Sequence, residues 1–148
     1  MTEQDTAEVA DIIADASPLP LLDAAYALWR RRYRLATLEG RAIAEDILVN
    51  RALPPERLAA TCHCDPAPDG PTFDYVKRAH PGADDNAIRR AIITAVRFED
   101  TCFRYFEQTT AEYWQRCVHA VALSRKLYPD FGEDTYRRAA NDVAYYYK

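Results

Sequence analysis

Residues 84–108 read DDNAIRRAIITAVRFEDTCFRYFEQ, and their periodicity decides the fold class. Ile88, Ala91, Ile92, Ala95, Phe98, Cys102 and Tyr105 recur at helical spacing, which at about 100° per residue gathers them on one face. Asp84 or Asp85 offers a side-chain oxygen to the first free N–H groups, so a helix is predicted from there to Gln108. Its other charges, Arg97, Asp100, Arg104 and Glu107, fall on the opposite side, with Glu99 alone among the apolar residues.

Downstream, Thr109 with Glu112 has the spacing of a capping box, in which side chain and backbone cap each other at a helix start. The helix that follows carries Tyr113, Trp114, Cys117, Val121, Ser124 and Tyr128 on one side and stops before Pro129. Asp130 and Glu133 form a second such pair, ahead of a last helix that presents Tyr136, Ala140, Val143, Ala144 and Tyr147. Upstream, helices are predicted over Thr6–Ala16, Pro20–Arg51, Pro55–Thr61 and Thr72–His80. Pro20 suits a first helical turn, where its missing N–H is harmless, and Gly40 is a point at which the long helix bends or ends. No stretch alternates with period two, so no strand is expected. The expectation is all-α: one helical domain over residues 1–148, a bundle or array of about five to seven helices without a β-sheet.

A chain of 148 residues, 49% hydrophobic and 28% charged, can bury a core without disulfides or metals. Its net charge of -4 argues against a nucleic-acid or anionic-membrane binder. No apolar run approaches the ~18 residues of a membrane span. The first residues are acidic, Met1-Thr2-Glu3-Gln4-Asp5, where a targeting peptide would be basic. The chain is therefore read as cytoplasmic, with Cys62, Cys64, Cys102 and Cys117 as free thiols and the last two on apolar helix faces.

Three sets of residues carry chemistry. Arg32, Glu39 and Asp46 stand a heptad apart on the apolar arc of the long helix, and Glu99 occupies the same kind of position on its own helix. A buried ionised carboxylate costs several kcal/mol unless paired, metal-bound or neutral. These four residues are thus either an interior catalytic or cation-binding centre, or interhelical ion pairs such as Arg32 with Glu39 or Glu99. Cys62, His63 and Cys64, with His80 the nearest further ligand, are candidate metal ligands, although the set lacks the second Cys or His pair that structural zinc uses. Arg30, Arg31 and Arg34, interleaved with Trp29 and Tyr33, and the C-terminal Tyr145 and Tyr146 are candidates for an interaction surface. The arginine run fits a phosphate backbone less well than an acidic partner, given the overall charge.

No motif of known reaction chemistry stands out, and no cofactor is expected. The leading expectation is a helical protein acting by protein–protein interaction, as an adaptor or by self-association. The alternatives are a small enzyme or ligand binder using Arg32, Glu39, Asp46 and Glu99, and nucleic-acid binding through Arg30–Arg34.

Overall fold

The computed structural model describes residues 1–41 and 71–147, and the chain is all-α: seven helices and no strand occur among the described residues. The helix predicted at Pro55–Thr61 lies outside them. Two compact units divide these residues, 1–41 with 71–95 and 96–147.

In the first unit, α1 (Glu3–Ala16) begins earlier than its apolar pattern predicts. Thr2 accepts from the Asp5 N–H and the Asp5 carboxylate accepts from the Thr2 N–H, both at 3.1 Å, so the first turn is capped from outside the periodic stretch. The long helix predicted from Pro20 to Arg51 is not continuous. Its described part holds two helices, α2 (Leu21–Arg30) and α3 (Arg32–Glu39). At Arg31 the backbone leaves helical geometry (φ -101°, ψ 8°), and the Arg32 guanidinium donates at 2.9 Å to the Trp29 carbonyl. At Gly40 the chain turns left-handed (φ 64°), a conformation cheap only for glycine. The Gly40 and Arg41 N–H groups then close on Thr37 and Ala36 at 3.2 and 2.8 Å, a Schellman ending that stops α3.

α4 (Pro71–Ala79) completes the group, and α1, α2, α3 and α4 all touch one another. Their core holds Tyr26, Leu28, Trp29, Leu35, Tyr75 and Val76, with Ile88 and Ile92 from the start of α5 (Asp85–Gln108). Asp84 caps α5 by accepting from the Asn86 and Ala87 N–H groups at 3.1 and 3.2 Å.

In the second unit, α6 (Tyr113–Leu127) packs on α7 (Glu133–Tyr146). Neither predicted capping box forms. Thr109 instead bonds back to the Tyr105 carbonyl at 2.7 Å, and Glu112 and Gly132 stand at the two N-caps without a side-chain cap. Phe98 packs against the rings of Phe131, Tyr136 and Tyr128 at 4.7, 5.6 and 6.1 Å. Tyr136 fixes the connection between α6 and α7 by donating to the Tyr128 carbonyl and accepting from the Phe131 N–H. No helix among the described residues is long and apolar enough to cross a membrane.

Candidate interaction surface and charged clusters

Of the residues expected to form one polar centre, Arg32 and Glu39 stand at the two ends of α3 in the first unit, and Glu99 stands on α5 in the second. Asp46 lies outside the described residues. Arg32 lies flat over its own neighbours, 3.7 Å from the Trp29 ring and 4.5 Å from that of Tyr33, and makes no ion pair with Glu39. Desolvated guanidinium–ring stacking of this kind is worth up to about 2 kcal/mol and needs no carboxylate.

Glu39, at the end of α3, is instead one corner of a closed ring of charges. Its carboxylate accepts from Arg78 at 3.0 Å and from Arg41 at 3.4 Å, while Asp74 accepts from the same two arginines at 2.6 and 3.0 Å. Both guanidiniums stand 5.3 Å from the ring of Tyr75. Burial pushes the Glu39 carboxyl up, but Arg78, with Tyr75 and Arg41, outweighs it and holds the group below the ordinary glutamate range. The Tyr75 hydroxyl, buried and close to that carboxylate, is pushed up to about 12. Two positive and two negative charges thus pair within a few ångströms, so the cluster carries no net charge. Beside this ring, Glu39 and Arg78 close one end of a groove of about 430 Å³ whose other walls are Val9, Ala10, Ile13 and Ala14 of α1.

On α5 Ile88, Ala91, Ile92, Ala95, Phe98 and Cys102 are buried as the periodicity predicts, but three charges depart from it. Glu99 is only half-buried, whereas Asp100 and Arg104, expected to face outward, are buried. Phe98, Asp100, Thr101, Cys102, Arg104 and Phe106 are all covered, so in this stretch burial extends nearly round the helix, not along one stripe. Arg104, 4% exposed, meets Asp100 at 3.2 Å and Glu107 at 3.0 Å.

Cys62, His63 and Cys64 lie outside the described residues. His80 follows α4 directly, its backbone N–H closing the last turn onto the Val76 carbonyl at 2.8 Å. No group of three or more His, Cys, Asp or Glu that could hold a metal occurs among the described residues. Cys102 and Cys117 are buried free thiols. Burial pushes the Cys102 thiol up to about 12 and raises Cys117 as well, so neither yields a thiolate nucleophile near neutrality.

Of the arginine run, Arg30 and Arg31 are half-buried, and exposed Arg34 grips Glu8 through two bonds of 2.8 Å. Trp29 packs inward, as expected. Tyr145 and Tyr146 are exposed at the end of α7, Tyr146 stacking on Phe103 with ring centres 4.7 Å apart.

A further exposed apolar surface lies on α6, at residues the periodicity places inward or passes over. Trp114, placed by periodicity on the inner side of α6, is 49% exposed, and Val118 is 45% exposed. The inner face of α6 is set by Cys117, Ala120, Val121 and Ser124, and Trp114 lies about 70° from their mean direction, at the edge of the packed stripe. Trp114, Val118 and Ala122 form a ridge with a groove on either side. One, of about 540 Å³, runs between α6 and α7 over Val121, Ala122, Tyr136 and Ala140. The other, of about 630 Å³, is bounded by Thr109, Thr110, Gln115 and His119. A tryptophan aligned with smaller apolar residues at i+4 and i+8 was the available signal, since a core assignment requires that a neighbour cover the ring.

No protein-family model, no curated protein and no solved structure matches this chain.

Proposed function

We propose that this chain is a protein-binding domain that works through the outer face of α6 and has no catalytic centre of its own in that face. The observation that carries the reading is the ridge of Trp114, Val118 and Ala122, exposed between two grooves. Contiguous exposed apolar surface with a polar rim is characteristic of interaction sites, and tryptophan is the residue most enriched among those that dominate binding energy. Arg125, Arg137, Gln115 and His119 supply the rim. The charged residues of the chain support the same reading from the other side: the Glu39–Arg41–Asp74–Arg78 ring is saturated by its own members.

Site-specific photocrosslinking tests this directly. A benzophenone amino acid at Val118 is expected to capture a protein, identified by mass spectrometry, and the adduct should vanish in a Trp114→Ala background. The same probe at exposed Asp11 should capture nothing comparable. Equal yields at both positions would remove the α6 face from consideration.

A further inference from the structure

Resting on that reading, we infer that the occupant of the α6 face is a second copy of this chain, packed antiparallel about a two-fold axis through Val118. A two-fold interface uses one patch on both partners, so the patch must complement itself. The outward line of α6 meets that condition. Trp114, Val118, Ala122 and Arg125, all within the helix, lie within about 40° of one direction. Trp114 and Ala122 stand four residues to either side of Val118, so on the helix the three positions are symmetric about it.

An antiparallel copy centred on Val118 therefore sets Trp114 over Ala122 of the second copy, and Ala122 under its Trp114. The bulkiest residue of the line meets one of the smallest, twice, and two Val118 side chains meet on the axis. Each indole then enters the groove of about 540 Å³ between α6 and α7, whose lining includes Val121, Ala122, Tyr136 and Ala140 together with charged Glu133 and Arg137.

Charge selects the same orientation. Exposed Glu112 precedes α6, and Arg125 and Lys126 occupy its last turn. Arg125 is paired with Glu133 but remains at the surface. Antiparallel packing brings the acidic end of each helix to the basic end of the other and opposes the two helix dipoles. Parallel packing would set tryptophan on tryptophan and like charge on like.

The size of the contact sets its strength. With 15 residues, α6 is about 22 Å long. One such helix pair with its flanking groove falls in the small-interface class, below about 1,200 Å², where association is weak and reversible.

Sedimentation velocity on the full chain from about 1 µM to about 1 mM reads the equilibrium. Wild type is expected to pass from monomer to dimer across that range. Trp114→Ala should weaken the dimer at least about tenfold. Ala122→Trp should weaken it similarly, because tryptophan then faces tryptophan. The double variant carrying both substitutions should recover to within about threefold of wild type, since it exchanges the two members of the pair across the axis. Val118→Lys, which sets two ammonium groups on the axis, should leave only monomer, and circular dichroism should show each variant folded. A wild type that stays monomeric at about 1 mM, a dimer that survives Val118→Lys, or a double variant without recovery would each overturn the assignment. A monomer whose Val118 probe still captures another protein would overturn the second copy alone. A monomer whose probe captures nothing would remove the interaction face with it.

Discussion

The ring of charges around Tyr75 in the first unit and the outer face of α6 in the second are opposites. In the ring, four ionised side chains from α3, α4 and the turn at Gly40 spend their bonding capacity on one another, and Glu39 is only 14% exposed. On α6, an indole and smaller apolar side chains face solvent beside two grooves. Unusual polarity in an apolar pattern attracts the eye in a sequence, because a buried carboxylate looks expensive. Once partners arrive at 2.6 to 3.4 Å the expense is offset, and the cluster becomes part of the scaffold. An exposed tryptophan has no such internal remedy, since only another surface can cover it.

The contrast is sharpest where charge is most deeply enclosed. Arg104→Ala should destabilise the second unit by about 3 kcal/mol in urea unfolding, because it removes the cation beside buried Asp100. A loss under about 1 kcal/mol would mean that Arg104 reaches water and that enclosed charge is not structural here.

Glu39→Ala should cost less, about 1–2 kcal/mol, since Arg41 and Arg78 keep Asp74 and are themselves partly exposed. If that variant were instead neutral in stability, the ring would lose its scaffold role and the adjacent groove would become the better candidate site.

The same residue makes a pH prediction. Its carboxyl titrates below the ordinary value of 4.5 in the folded chain. Its stabilising contribution is therefore complete above about pH 4.5 and is lost as pH falls through the lowered folded value. Half-buried Glu8 and exposed Glu133 are lowered in the same direction by Arg34 and Arg125, so wild type and Glu39→Gln should both weaken in acid. The gap between them should narrow as pH falls from about 5 toward 3 in paired melting curves. A gap that stays constant over that interval would place Glu39 outside the linkage.

Trp114→Ala is the smallest expected effect on folding, within about 0.5 kcal/mol, because half the ring is already in solvent. A loss near 3 kcal/mol would show the ring to be a core residue and close the distinction between the two regions.

Much of the helix inventory was legible. The apolar period on α5 and the Asp84 cap placed that helix to within a residue, and Pro20 and Gly40 marked real boundaries. These are local signals, carried by residues within one or two turns of each other. What misled was phase extended over distance. The heptad line Arg32–Glu39–Asp46 presumed one long helix, yet the helix that holds Arg32 and Glu39 begins and ends with them, and Arg32 turns back onto Trp29 although it shares the face of Glu39. On α5, one stripe was presumed to be covered, and the burial of Asp100 and Arg104 shows cover on further sides.

By itself, then, the sequence determined that the chain is helical, where most helices begin and end, and that Trp29, Phe98 and the two described cysteines turn inward. Those outcomes follow from backbone propensity, capping and the preference of apolar groups for any interior. Only the tertiary structure decided which charges find partners and which aromatic rings stay uncovered. Arg41 and Arg78 stand 37 residues apart in the chain yet share the same two carboxylates. Phe98 has Phe131 and Tyr136 against its ring, whereas Trp114, apolar in the same periodic sense, is left half in solvent. Burial is a property of neighbours, and neighbours distant in the chain are set by packing.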